Sequence, residues 1–108
     1  MAPPAVLLCP VEVTAECLTA LEADVERLLG VDGTRLVLDL AQTNFVGSAG
    51  LGLFVKLGKR LRERGGGVAL ARARPAVQRL LRAVGLGQVL PLFTEVELAS
   101  AHLQEVMR

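Results

Sequence analysis

The sequence predicts an α/β domain with a mostly parallel or mixed sheet of four to five strands and about four helices. Two observations indicate this fold. Short runs of branched apolar residues alternate with stretches of helical periodicity, and the stretches between strands are long enough for parallel crossovers. Because 108 residues suffice for one small domain and no linker or repeat divides them, we expect residues 1–108 to form a single domain.

The first predicted strand covers residues 5–9, and Pro10 ends it. Residues 11–13 are expected to continue in extended form. Thr14 is the expected N-cap of the first helix, which Gly30 terminates. The apolar residues of this helix recur at helical spacing and are Ala15, Leu18, Leu21, Val25, Leu28 and Leu29.

Residues 35–40 (RLVLDL) are predicted to form the central strand, since a nearly continuous apolar run is typical of a parallel strand covered on both faces. Residues 42–47 are expected to form a loop, with Ser48 as the N-cap of a helix over residues 49–64. The predicted buried stripe of that helix is Leu51, Phe54, Leu57 and Leu61. Three consecutive glycines at 65–67 end it.

A third strand is predicted at residues 68–71, and Pro75 suits the first turn of the helix that follows. The expected buried face of this helix consists of Val77, Leu80, Leu81 and Val84. Gly85 and Gly87 close it.

Residues 89–93 are predicted to form a fourth strand, at the sheet edge because Pro91 cannot donate a hydrogen bond. The pattern Thr94-x-x-Glu97 is a capping box that opens a last helix, ending near Met107. Its predicted buried residues are Leu98, Leu103 and Val106.

Composition excludes several classes of protein. The chain is 52% hydrophobic and 3% aromatic, which disfavours binding of single-stranded nucleic acid by base stacking. No apolar run approaches the roughly 18 residues of a membrane span, and the N-terminus lacks the basic head of a signal peptide. We therefore expect a cytoplasmic protein without direct membrane insertion. Cys9 and Cys17 indicate buried free thiols and no metal site.

Charge is distributed unevenly along the chain. Residues 1–54 hold seven acids and two bases, whereas residues 56–82 hold nine bases and one acid, Glu63. A basic cluster is one mark of nucleic-acid binding, but helical periodicity spreads these side chains over more than one face. A solvated surface is the simpler interpretation, and we expect no nucleic-acid partner.

Catalytic residues are scarce. His102 is the one histidine, and the sequence offers no plausible acid–His–Ser set. A nucleophile elbow has the pattern G-x-S-x-G, so with Ser48 as the serine it needs glycine at position 46. The segment Gly47-Ser48-Ala49-Gly50 departs from this pattern because that position is Val46. It also lacks the Lys-Ser/Thr ending of a P-loop. We expect no enzymatic activity and no cofactor.

The junction between the central strand and the next helix is the unusual feature. It lies at the carboxyl end of the strand, where partners and ligands of open α/β sheets bind. One interpretation is that Ser48 only caps the helix and the glycines permit tight packing. The other is that Ser48 is exposed at a helix N-terminus, where the dipole favours an added phosphate, and that the glycines let another protein approach. Composition does not decide between them.

Here the sequence resembles a known family. Leu36-Val37-Leu38-Asp39-Leu40 followed by Thr43-x-Phe45-Val46-Gly47-Ser48-Ala49-Gly50-Leu51-Gly52 is similar to the core motif of STAS domains, and most similar to that of bacterial anti-sigma factor antagonists. The resemblance continues through Gly66-Gly67-Val68-Ala69-Leu70, Val77-x-Arg79-x-Leu81, Val84-Gly85-Leu86 and Leu92-Phe93. It covers about residues 35–103.

The resemblance implies a regulatory binding protein. Members of this family bind a partner anti-sigma factor that is a serine kinase, are phosphorylated by it on a serine, and are reset by a phosphatase. By position the phosphoacceptor is Ser48. The implied partner-binding residues are Asn44, Phe45, Gly47, Ser48, Ala49, Gly50 and Leu51.

Two departures from the family pattern are visible. The family's aspartate before the serine is Gly47 here, and residues 5–13 leave little more room than one strand where relatives have a hairpin. Because a STAS domain can bind partners without being phosphorylated, a second expectation is a non-phosphorylated scaffold or the STAS subunit of a lipid-transport ABC complex.

Overall fold

A computed structural model describes residues 3–106 of the chain. The strands are β1 (Ala5–Leu8), β2 (Glu12–Val13), β3 (Arg35–Asp39), β4 (Phe45–Val46), β5 (Gly67–Ala71) and β6 (Leu92–Phe93). The helices are α1 (Leu18–Leu29), α2 (Ser48–Glu63), α3 (Pro75–Ala83) and α4 (Val96–Val106). Two short 3₁₀ turns, Ala15–Cys17 and Leu86–Gln88, precede α1 and β6.

Four of the strands form one parallel sheet in the order β1-β3-β5-β6. Strand β3 lies between β1 and β5, as its apolar sequence predicts. Strands β2 and β4 pair with each other in parallel as a separate two-stranded ladder. The carboxyl ends of β1, β3 and β5 therefore meet at one edge of the sheet, next to this ladder.

The two faces of the sheet are covered unequally. Helices α1, α2 and α3 pack on one face and share a core with the side chains of β1, β3 and β5 that point towards them. Helix α4 packs alone on the opposite face through Ala99 and Leu103, against Val37, Ala69 and Ala71. The predicted α/β class and the mostly parallel sheet of four strands are confirmed.

Several boundaries differ from the sequence predictions. The predicted loop 42–47 contains β4, which pairs with residues predicted only as extended chain. The predicted strand at 89–93 shortens to β6, because the amide groups of Val89 and Leu90 bond back to the Leu86 carbonyl in a helical turn. Strand β6 is an edge strand, as Pro91 indicates.

The predicted first turns of two helices also shift. Thr14 precedes a 3₁₀ turn and makes no side-chain cap, so regular α1 begins at Leu18. Helix α4 begins at Val96, with the Glu95 carbonyl accepting from the Ala99 amide at 3.2 Å. The cap position therefore belongs to Glu95 and not to Thr94.

Four predicted core positions need correction. Val84 is exposed because α3 ends at Ala83 before reaching it. Leu98 is exposed because α4 contacts the sheet through Ala99 and Leu103 instead. Leu51 and Leu80 are half-buried and pack at the margin of the core. The predictions for the Val106 side chain and Met107 lie outside the described side chains.

Candidate functional site

Ser48 is exposed and is the first residue of α2. The N-cap is Gly47, not Ser48, because Gly47 has extended backbone (φ −79°, ψ 173°) and its carbonyl accepts from the Leu51 amide at 2.9 Å. One residue inside the cap, the Ser48 hydroxyl is not used to terminate the helix and projects at its positive end. This placement removes the interpretation that Ser48 serves only as a cap.

The backbone before Ser48 is held by the β2–β4 ladder. The Val11 carbonyl accepts from the Asn44 amide at 2.7 Å and from the Phe45 amide at 3.4 Å. The Val13 carbonyl accepts from the Gly47 amide at 2.8 Å. The segment that carries Ser48 is therefore paired with the chain before α1 up to the cap itself.

Side chains hold the earlier part of the same loop. The fully buried Thr43 hydroxyl donates to the Pro10 carbonyl at 2.8 Å, and the Gln42 amide donates to the Cys9 carbonyl at 2.8 Å. Both bonds join the loop to the chain after β1. The Cys9 and Pro10 carbonyl groups lie beyond the end of β1, and these two bonds give them partners in place of water.

A third set of bonds joins the loop to the chain after β5. The Arg74 guanidinium donates to the Ala41 carbonyl at 3.0 Å and to the Asn44 side-chain oxygen at 2.9 Å. Asn44, a predicted partner-binding residue, is therefore exposed but held in one place from both sides.

Asp39 and Arg72 form the ion pair at the base of this loop. Asp39 is 5% exposed, and its two carboxylate oxygens accept from Arg72 at 3.1 and 2.5 Å. One of them also accepts from the Ala41 amide at 3.0 Å. Hydrogen bonding and the negative charge of Asp39 raise the pKa of the Arg72 guanidinium above its usual value. Arg72 has a left-handed backbone (φ 60°), a conformation that non-glycine residues seldom adopt.

Sequence reasoning did not single out Asp39, Arg72 or Arg74 as parts of the site. A carboxylate at the carboxyl end of an otherwise apolar strand is a signal that could have found Asp39, because a buried carboxylate needs a charged partner. Its partner could not be identified without the pairing of β3 with β5.

The predicted partner-binding residues differ in accessibility. Asn44, Phe45 and Ser48 are exposed, with Phe45 at 48%, while Gly47, Ala49 and Leu51 are half-buried. Gly50 is buried. A Cβ at Gly50 would lie 2.6 Å from the Val13 carbonyl oxygen and 2.7 Å from a Val13 methyl group. Gly50 therefore lets α2 pack on the β2–β4 ladder and offers no surface to a partner.

The remaining candidates occupy structural positions. Cys9 is buried, and desolvation, aided by the nearby Asp39, raises the pKa of its thiol from 9.0 to about 12. Cys17 is half-buried, and both thiols are free. The His102 ring lies 5.1 Å from the Phe93 ring. None of the helices within residues 3–106 combines the length and apolar composition needed to cross a membrane.

A family model described as STAS domain matches residues 7–99. The chain belongs to the STAS domain family. The expectation drawn from the junction motif is thereby confirmed.

Two curated relatives are both named as anti-sigma factor antagonists. An anti-sigma F factor antagonist of Paenibacillus polymyxa is 33% identical over 72 residues, which span 60% of this chain and 62% of that protein. The putative anti-sigma factor antagonist BtrV of Bordetella bronchiseptica is 30% identical over 81 residues, which span 75% of this chain and 70% of that protein.

Solved structures share the fold at lower identity. A putative anti-sigma factor antagonist from Thermotoga maritima superposes with a TM-score of 0.79 at 20% identity, covering 92% of this chain and 87% of the other. The murine anion transporter Slc26a9 contains a similar region, with a TM-score of 0.76 at 19% identity, covering 97% of this STAS chain and 18% of the transporter. The fold of this chain thus occurs both in a putative anti-sigma factor antagonist and in a region of an anion transporter.

Proposed function

We propose that this STAS chain is an anti-sigma factor antagonist that binds an anti-sigma serine kinase through the Ser48 surface. We define the Ser48 surface as the accessible residues around the start of α2: Asn44, Phe45, Gly47, Ser48, Ala49 and Leu51. The observation that carries the proposal is the position of Ser48, exposed at a helix N-terminus directly after a loop that is anchored to residues 9–13 and to Arg74. The names of the two curated relatives support an anti-sigma factor as the partner.

The geometry suits recognition by a folded protein. Phe45 provides an exposed aromatic ring beside an exposed hydroxyl and an amide that Arg74 orients. Aromatic side chains often anchor protein interfaces, and a rigid loop loses little conformational entropy on binding. We propose binding in the cytoplasm, where sigma factors act.

Phosphorylation of Ser48 is the proposed switch. A phosphoryl group adds about −1.5 to −2 charges, and the positive end of α2 stabilises negative charge in its first turn. The fold therefore accommodates phosphoserine, whereas an interface formed around a neutral hydroxyl does not. The kinase is the partner, and a phosphatase restores the binding form.

Partner binding and phosphorylation are two separate proposals, because Gly47 in place of an aspartate bears only on phosphorylation. A hydroxyl accepts a phosphoryl group without help from its own domain if the kinase supplies the base and the metal. The aspartate that the resembled family motif has before the serine is Gly47 in this chain. This observation favours a second candidate function, a STAS scaffold or transporter-complex subunit that uses the same surface and is not phosphorylated.

We propose no hydrolytic or transfer activity for the chain itself. Ser48 has no histidine or acid in its hydrogen-bonding network among the described residues, so its hydroxyl is not activated as a nucleophile. Turnover of a generic ester or nucleotide by the pure protein, lost in Ser48→Ala, contradicts this.

The test uses wild type, Ser48→Ala and Ser48→Asp with the cognate kinase. We expect Ser48→Ala to bind, and Ser48→Asp to bind weakly with an unchanged melting temperature, since position 48 is exposed. Incubation with kinase, ATP and magnesium, followed by intact-mass measurement, should add one phosphate to wild type and none to Ser48→Ala.

The outcomes separate the two candidates. Tight binding without an added phosphate supports the scaffold. Normal binding by Ser48→Asp, or no binding of the kinase by wild type, contradicts the proposed antagonist.

A further inference from the structure

A groove lies on the outer side of α2, beyond the Ser48 surface. It is a shallow, open depression with a volume of about 390 Å³. Two exposed valines, Val55 on α2 and Val89 in the turn before β6, form its apolar walls at 40% and 43% exposure. Three charged residues complete the lining: Lys59, Arg62 and Glu63.

Helix α2 and the turn at 86–90, which both line the groove, approach each other closely. Gly58 is buried, and a Cβ at this position would lie 2.5 Å from a Leu90 methyl group. With no side chain at Gly58, Leu90 packs fully buried against α2. Val89, its neighbour in the chain, is then turned outwards.

The groove is aligned with Ser48 on α2. Ser48, Gly52, Val55, Lys59 and Arg62 follow one another at spacings of three and four residues and are all exposed, so they form one stripe along the helix. Lys59 lies eleven positions after Ser48, which is about 16 Å of helix. A single partner element lying along α2 reaches both.

The basic residues of α2 fall into two pairs with different environments. Lys56 pairs with Glu22 at 3.5 Å, and Arg60 pairs with Glu26. Within residues 3–106 the structure gives no ion pair to Lys59 or Arg62, and the groove keeps a net positive charge after Glu63 is counted. The helix dipole explains a base in the last turn, but not the two exposed valines beside these bases.

We propose that this groove receives an acidic amphipathic segment of the anti-sigma partner. Apolar side chains of that segment lie between Val55 and Val89, and its carboxylates contact Lys59 and Arg62. The inference rests on the proposed function, because it extends the same interface from the Ser48 surface along α2. In this proposal the groove supplies electrostatic attraction between the two proteins. Such attraction accelerates association and weakens as the salt concentration rises.

The experiment measures the dissociation constant for the purified anti-sigma kinase of the host, at ionic strengths below and above about 0.15 M. We expect Lys59→Glu to weaken binding roughly tenfold at low salt and to flatten the salt dependence. Val55→Ser should weaken binding at both salt concentrations. The matched control is Arg79→Glu, which makes the same charge change on the exposed side of α3 and should alter affinity less than about threefold.

A charge swap sharpens the test. Replacing a carboxylate of the kinase by lysine should restore binding to Lys59→Glu and weaken binding to wild type, which identifies a direct pair. Melting temperatures of all variants should match wild type, because every substituted side chain is exposed.

The failures are distinguishable. If Lys59→Glu behaves like Arg79→Glu while Ser48→Asp still loses binding, the groove proposal is overturned and the proposed function stands. If all three bind as wild type does, the proposed interface is also wrong. Adsorption of wild type to vesicles of anionic phosphatidylglycerol that Lys59→Glu abolishes, with kinase binding unchanged, assigns the groove to a membrane surface and overturns the proposal.

Discussion

The inner side of helix α2 is buried in the core, whereas its outer side is exposed. The inner side consists of residues that the fold requires, with Phe54 and Leu61 fully buried and Leu53 and Leu57 nearly so. The outer side carries Ser48, Gly52, Val55, Lys59 and Arg62, whose side chains the core does not need. Packing explains the first set and not the second, and both proposed binding surfaces of this helix lie on its outer side.

The largest expected effect comes from truncating the inner side. Phe54→Ala should lower the free energy of unfolding by about 3–5 kcal/mol, as is usual when a fully buried aromatic side chain is removed. Its neighbour supplies the control, since Val55→Ala removes an exposed side chain and should change stability by less than about 0.5 kcal/mol. Urea unfolding measures both, and equal effects would contradict the assignment of the two sides.

A second contrast compares two glycines in the same turn. Gly50→Ala should destabilise the protein by about 1–3 kcal/mol, because the added methyl group meets the Val13 carbonyl oxygen. That oxygen also accepts from the Gly47 amide, so the cap next to Ser48 should loosen. Amide hydrogen exchange should be faster at Gly47 in this variant. A stabilised Gly50→Ala would show that the close approach of α2 and β2 does not occur.

Gly52→Ala should have the opposite sign. A Cβ at Gly52 meets no atom within 4 Å, and alanine is favoured over glycine in a helix by about 0.5–1 kcal/mol. Thermal unfolding should show a higher midpoint than wild type. If Gly52→Ala nevertheless weakens kinase binding, the partner approaches the backbone at this point and the outer side is part of the interface.

The smallest expected change in stability comes from restoring the family's aspartate. Gly47→Asp places a carboxylate at the N-cap of α2, and its Cβ would be in ordinary contact with the Phe45 ring at 3.4 Å. The gain should be a few tenths of a kcal/mol. The more informative measurement is the rate at which the kinase phosphorylates Ser48, which we expect to rise. Gly47→Asn is the control, because it caps the helix without adding charge.

Periodicity made the inner side of α2 predictable and left the loop before it unpredictable. Phe54, Leu57 and Leu61 recur at helical spacing because each must face the same core. Strand β4 has only two residues, too few to show the alternation of a strand. Its pairing with β2 depends on where the fold brings two distant segments together.

The position of Ser48 was predicted to within one residue. Glycine and serine are both favoured at an N-cap, so the sequence Gly47-Ser48 does not show which of them ends the extended chain. Hydrogen bonds decide it, because the Gly47 carbonyl accepts from Leu51. Similarly, Asp39 could have been suspected of having a partner, but Arg72 becomes that partner through the β3–β5 register and a left-handed backbone.

The bonds that hold the Ser48 loop have a consequence for biosynthesis. Four of these bonds each join residues 33 positions apart: Asp39–Arg72, Gln42–Cys9, Thr43–Pro10 and Arg74–Ala41. None of them can form while the chain has only contacts between residues close in sequence. A nascent chain must leave the ribosome beyond Arg74, and β5 must join the sheet, before the loop acquires its shape. If the proposed kinase recognises this shape, it distinguishes finished domains from incomplete ones, and unfolded copies of this chain do not compete for it.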